Sequence, residues 1–169
     1  MNTPPGHAEP GSPEPAQSVR LLLVCSNGGH LGQLHKLRPW WGNCQRTWVT
    51  FDKADARHLL AGEQVRWGYY PTTRNLVNLL RNFGLAVRIM LRERPDVVVS
   101  TGAGVALPFF VLARLLGVRT VYLEVFDRLD SATLTGRLCR PFTDVFCLQW
   151  EEQKVAYPRG VVVGPVMSL

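Results

Sequence analysis

The chain has 169 residues, 46% of them hydrophobic, with 19 Lys+Arg against 13 Asp+Glu and a net charge of +6. This length suits one domain with a proper core, and the basic excess favours anionic partners such as nucleic acid, an acidic membrane surface or phosphorylated ligands. No window offers about 18 clean apolar residues, so no helix is expected to span a membrane, and the start lacks the basic and apolar regions of a secretory signal.

Residues 1–18 hold five prolines and read as a disordered tail ahead of a single domain over residues 19–169. Residues 20–25 (RLLLVC) form a short apolar run suited to a buried strand. A glycine turn and a helix over 30–40 follow. Residues 46–51 (RTWVTF) read as the second strand, and 52–60 as a short helix with Asp52 as its N-cap. A third strand is expected at 64–70. A long helix then runs over 73–94, stopped by Pro95. Residues 96–100 (DVVVS) are a fourth strand, and 104–116 a helix closed by Gly117. A fifth strand at 119–123, a helix at 131–139, and strands at 144–149 and 160–163 complete the chain. Strands alternating with helices imply a Rossmann-like, doubly wound parallel sheet of α/β class. Cys25, Cys44, Cys139 and Cys147 include no CxxC pair and read as buried thiols of a reducing compartment, neither disulfides nor zinc ligands.

Four segments carry chemistry. The first is a strand running into Ser26, Asn27, Gly28, Gly29 and His30 and then a helix. Glycine lets backbone approach a ligand, and a helix start presents free N–H groups that suit phosphate. The spacing is neither GxGxxG nor a P-loop, so the loop by itself is equally a tight turn. His30 either bonds a ligand or takes a proton from an acceptor hydroxyl, or else simply caps or packs. The second segment leaves a strand through Thr101, Gly102, Ala103 and Gly104 into another helix. Two such loops at strand tops can face one crevice. In the third, Glu124 follows an apolar strand and needs a partner or a role at the sheet edge; Arg128 or a ligand hydroxyl would serve, while Asp127 and Asp130 also read as a solvated loop.

The fourth segment is the long helix. Arg74, Arg81, Arg88 and Arg92 fall on one stripe, with Leu85 and Ile89 near it. Leu76, Leu79, Leu80, Phe83, Val87 and Met90 are expected on the opposite face, packed on the sheet. Arginine mixed with aliphatic side chains suits an anionic bilayer. The alternative is a solvated face, and nucleic acid is disfavoured because no stacking aromatics interleave these arginines. No HExxH, GxSxG or metal-ligand spacing occurs. Trp40, Trp41, Trp48 and Trp67 read as core or interface.

Together SNGGHLGQL, RPDVVVSTGAGVALPF, VYLEVFDRLDSATLTGRL, PFTDVFCLQWEE and VVVGPV resemble, in order and over residues 20–166, the family of the asparagine-linked glycosylation protein 14 and its bacterial capsule and exopolysaccharide counterparts. The resemblance implies the N-terminal half of a split GT-B glycosyltransferase. That half binds a polyprenyl-diphosphate-linked acceptor and acts as a peripheral protein on the cytoplasmic face of the plasma membrane. A separate chain supplies the UDP-sugar-binding C-half, and neither metal nor cofactor is called for. Carried over by position, the glycine loop and its histidine fall on Ser26 to His30, the second turn on Thr101, Gly102 and Gly104, and the acidic strand end on Glu124. The helix start after it falls on Arg128 and Ser131, and Gln149 to Glu152 fall near where the other half docks. His30 and Glu124 are the implied catalytic pair. Eukaryotic members carry an N-terminal membrane anchor, whereas residues 1–18 here are polar and proline-rich. A non-catalytic membrane scaffold and a nucleotide- or dinucleotide-binding domain are the competing readings.

Overall fold

The computed structural model describes residues 18–72, 74–129 and 131–166. Its elements in chain order are β1 (Arg20–Val24), α1 (Gly29–Lys36), α2 (Arg38–Trp41), β2 (Gln45–Phe51), α3 (Ala54–Leu59), β3 (Val65–Gly68), α4 (Leu76–Glu93), β4 (Val97–Ser100), α5 (Ala106–Leu116), β5 (Arg119–Leu123), α6 (Leu134–Cys139), β6 (Val145–Leu148) and β7 (Val161–Val162). All strands are parallel, in the order β3-β2-β1-β4-β5-β6-β7. This is the doubly wound sheet that the alternation predicts. The chain crosses back after β3 to place β4 beside β1, so the crevice between their carboxyl ends is the switch point where open α/β sheets hold ligands.

Period-two alternation along β1 divides the core. Leu22 and Val24 face one layer with Ala86, Met90, Phe109 and Phe110 from α4 and α5. Leu21, Leu23 and Cys25 face the other with Leu31, Leu34, Trp41 and Ala56 from α1, α2 and α3. Trp41 and Trp48 meet edge to face at 5.4 Å in that second layer. Trp40 and Trp67 are exposed, so only two of the four tryptophans considered are core.

Several local expectations are corrected. The helix over 30–40 is two helices, because Pro39 has no N–H to continue the first. Asp52 does not cap α3: Lys53 holds the N-cap position, and Asp52 forms a two-pronged ion pair with Arg57 at 2.5 and 2.7 Å. That bond holds the Asp52 carboxyl below its usual range. The helix expected from 131 begins at Leu134, where the Thr133 hydroxyl accepts from the Gly136 N–H. The 1–18 tail falls, but for its last residue, outside the described residues, as do Thr73 and Asp130.

The largest correction concerns α4. It begins at Leu76, capped by Asn75, so Arg74 precedes it at φ 51°. Its buried side chains are Asn78, Asn82, Ala86, Ile89 and Met90. Ile89 is 3% exposed and so is removed as a membrane contact, while Leu85 is half-buried against the core. Leu76, Leu80 and Val87, expected inside, are exposed instead. The cause is the segment 69–72, which runs beneath the helix with backbone groups that must be satisfied. The Asn82 amide accepts from the Tyr69 N–H and donates to its carbonyl, each at 2.9 Å, and Asn78 donates to the Pro71 carbonyl at 3.0 Å. Two inward asparagines rotate the aliphatic stripe outward.

All four cysteines are free. Burial pushes the Cys25 and Cys139 thiols up to about 12, with the Glu124 charge adding to the effect at Cys139. Only the thiolate is a nucleophile. At pH 8 both are expected to resist iodoacetamide in the native protein and to react on addition of denaturant, as read by intact and peptide mass spectrometry.

Candidate functional site

The ladder between β1 and β2 extends one residue past β1, where the Cys25 N–H bonds the Val49 carbonyl at 3.0 Å. Ser26 and Asn27 lead to Gly28, at φ 70°, and α1 starts at Gly29 with no side-chain cap and no acid in its first turn. The Gly28 N–H donates to the Asp55 carboxylate at 2.8 Å. Asp55, an exposed residue of α3, was not singled out by sequence reading; no local pattern marks an acid that meets a loop 27 residues away.

The second loop is laced to the first. The Thr101 hydroxyl donates to the His30 carbonyl at 2.8 Å, and His30 Nδ1 lies 2.7 Å from the Thr101 carbonyl. A carbonyl only accepts, so Nδ1 carries the proton and the neutral ring keeps its lone pair on Nε2. Thr101 is itself buried and positions the imidazole. The Gly102 N–H bonds Ser100 Oγ at 2.9 Å, and Gly102 adopts φ 112°, which favours glycine. A Cβ there would sit 2.8 Å from the Tyr122 hydroxyl and 3.1 Å from His30 Cε1. Gly104 faces Thr72, on the side of the 69–72 segment.

Glu124, at the end of β5, is 0% exposed. It accepts from the Val125 N–H at 3.0 Å, from the Thr133 hydroxyl at 3.1 Å and from the Tyr157 hydroxyl at 2.5 Å. Burial together with the bond to Glu124 pushes the Tyr157 hydroxyl well above the usual tyrosine range. Arg128, offered as its partner, does not bond it. A second tier sits beneath. Gln149 donates to Gln33 at 2.6 Å and to the Glu124 carbonyl at 2.9 Å, while Gln153 donates to the carbonyls of Val125 and Arg128 at 2.7 and 2.8 Å. Gln33, Gln153, Tyr157 and Gly136 were missed, because their roles depend on contacts remote in sequence.

Between the loops lies a cleft of about 220 Å³, bounded by His30, Ala103, Tyr122, Asp127, Arg128 and Thr133. His30 and Arg128, predicted separately, meet here. Ser26, Asn27, Gly28 and Gly29 precede His30 in the chain but do not line the cleft, and of the second loop it is Ala103 that does. The buried carboxylate of Glu124 is met by three protein donors and so holds the loops in place. Arg81, Arg88 and Arg92 lie elsewhere, exposed on α4. Among the described residues no group of His, Cys, Asp or Glu is placed to hold a metal ion.

A parallel sheet in this order, with a cleft at its switch point, is a Rossmann-like, doubly wound α/β domain. The chain belongs to the Alg14 family: residues 62–166 match the family described as oligosaccharide biosynthesis protein Alg14 like. That stretch takes in the second loop and Glu124; the first loop precedes it. The mouse protein named UDP-N-acetylglucosamine transferase subunit ALG14 is 25% identical, the alignment covering 90% of this chain and 85% of the relative. Its human counterpart is 24% identical with the same coverage, and that of Candida albicans 25%, covering 88% and 78%. Among solved structures, Acinetobacter baumannii MurG superposes with TM-score 0.66 at 19% identity, over 79% of this chain and 42% of that one. The UDP-N-acetylglucosamine 2-epimerase of Rickettsia bellii gives 0.70 at 11%, over 90% and 46%. At such identities these two show the shared fold, and the chain spans less than half the length of either.

A Cβ on Gly136 would come within 2.5 Å of Glu124 Oε2 and closer still to the Tyr157 hydroxyl. Gly136→Ala therefore pries the buried carboxylate from its donors. It is expected to lower stability by about 2–4 kcal/mol, the scale of a disrupted buried polar network, in urea denaturation followed by circular dichroism.

Proposed function

We propose that the chain is the acceptor-binding, membrane-recruiting subunit of a two-chain, inverting, UDP-sugar-dependent glycosyltransferase that acts on a polyprenyl-diphosphate-linked saccharide in polysaccharide biosynthesis. The observation that carries this reading is the orientation of His30. With Nδ1–H fixed on the Thr101 carbonyl, the Nε2 lone pair is free to take the proton of an acceptor hydroxyl in the cleft as that oxygen attacks the anomeric carbon of the donor sugar. UDP leaves with its bonding electron pair. The exposed guanidinium of Arg128, at the same cleft, supplies positive charge for the acceptor diphosphate. Glu124 acts through Val125, Thr133 and Tyr157, keeping the cleft walls in register. The donor site belongs to a separate GT-B C-half chain, in keeping with relatives named as subunits. No nucleic acid takes part.

The membrane contact is assigned to α4, with the aliphatic half revised. Leu76, Leu80, Val87 and Leu91 form an exposed apolar stripe, and Arg81, Arg88 and Arg92 run beside it. Such a face suits insertion at the headgroup boundary of an anionic leaflet, here the cytoplasmic one. No helix among the described residues is long and apolar enough to cross a membrane.

Purified alone, the chain is expected not to transfer sugar; with its partner it is expected to do so. In that complex His30→Ala lowers kcat by about a hundredfold or more, the scale of a lost general base, with the domain still folded by circular dichroism. Unchanged turnover would remove His30 from the mechanism. Arg81→Glu with Arg88→Glu is expected to weaken sedimentation with phosphatidylserine-containing vesicles by about thirty-fold, at about 1 kcal/mol for each arginine lost. Leu80→Ser with Leu91→Ser is expected to weaken it on neutral vesicles too.

A further inference from the structure

Tyr122 lines the cleft with an almost wholly buried side chain, at 1% exposure, that ends in a polar atom. Its ring is fixed on two sides, stacked on Phe146 at 4.8 Å and 20° and edge-on to Phe110 at 5.9 Å and 79°. The ring therefore holds the hydroxyl in one place. Its neighbour on the protein side is the Thr133 hydroxyl. The nearby Thr133 hydroxyl already donates to Glu124 and accepts from the Gly136 N–H. Thr133 is thus largely committed to Glu124 and Gly136, and the Tyr122 hydroxyl stands at the floor of the cleft, within reach of what enters it.

The position of the hydroxyl says what it faces. One point beside the Gly102 backbone lies 2.8 Å from the Tyr122 oxygen and 3.1 Å from His30 Cε1. The hydroxyl and the imidazole are thus close neighbours on the cleft wall, and only glycine at 102 lets both approach its backbone. Burial, with the negative charge of Glu124 adding to it, pushes the Tyr122 hydroxyl well above its usual range, offset only in part by Thr133. It stays protonated at any working pH and serves as a donor.

We propose that Tyr122 is a substrate-contacting residue: its hydroxyl donates a hydrogen bond to a hydroxyl or carbonyl oxygen of the acceptor's terminal sugar, next to the hydroxyl that attacks. This rests on the acceptor-site reading of the cleft. A neutral donor suits a neutral saccharide oxygen. The charged diphosphate falls to the Arg128 side of the cleft.

The test compares wild type, Tyr122→Phe and His30→Ala, each with the partner chain, using farnesyl-diphosphate-linked N-acetylglucosamine as acceptor. Phenylalanine keeps the ring stack and removes one oxygen. Tyr122→Phe is expected to raise KM for the acceptor about ten-fold, the scale of one lost hydrogen bond to a ligand, and to leave KM for the nucleotide sugar unchanged. A normal acceptor KM in Tyr122→Phe while His30→Ala is crippled overturns the role of Tyr122 and leaves the acceptor site standing. If neither variant differs from wild type, the acceptor-site reading itself fails. Should Tyr122→Phe not fold, wild-type full-length chain labelled with ¹³Cζ-tyrosine decides the matter. The Tyr122 resonance is expected to shift on titration with the same acceptor and to stay put with inorganic pyrophosphate. No shift with the acceptor, or an equal shift with pyrophosphate, overturns the proposal.

Discussion

A carboxylate taken out of water must find donors, and the carboxyl-edge architecture of this domain is organised around the one at Glu124. Leaving such a charge unpaired costs several kcal/mol. Three donors from three places converge on it: the next residue's N–H, the Thr133 hydroxyl that caps α6, and the Tyr157 hydroxyl from beyond β6. Each is an anchor for the segment that carries it. The loop after β5, the start of α6 and the turn before β7 are fixed by one group, and Gly136 is small because the Tyr157–Glu124 bond passes beneath it. Gln149 and Gln153 repeat the device one layer down, holding the backbone of Glu124, Val125 and Arg128 by their carbonyls. The cleft wall is rigid because its support is polar and specific.

Further along the same face of the sheet the same accounting produces an unusual helix. The backbone of residues 69–72 needs partners, and α4 supplies them from Asn78 and Asn82. Those amides occupy inward positions that aliphatic side chains would otherwise take. Round α4 the side chains then form three successive bands: an apolar band in the open, arginines, and the buried face. A stable fold and a surface suited to a bilayer come from a single rotation of the helix.

Much of this was legible in the residues, and the reasons differ from place to place. The strands were readable because parallel strands buried on both faces are continuous apolar runs, as in residues 21–24 and 97–99. Both glycine loops were readable from composition and position, and the topology brought His30 and Arg128 to one cleft. What the pattern could not carry was polarity turned inward. Reading Leu76, Leu80 and Val87 as core assumed that apolar residues seek the interior, which fails where a loop beneath the helix demands amides. Glu124 illustrates the same limit. An acid at a strand end points to function, but whether it faces ligand or protein depends on Thr133 and Tyr157, the latter 33 residues away.

His30 and Thr101 exchange two hydrogen bonds across 71 residues of sequence, an interval that holds β2, β3, α4 and β4. Contacts of such separation form only after the entropy of closing the intervening chain has been overcome, and so they are late events in folding. Until β4 has docked beside β1, nothing fixes the tautomer or the direction of the imidazole. The basic nitrogen facing the cleft is therefore a property of the completed sheet, absent from every partly folded form that has the first loop and helix but lacks the second.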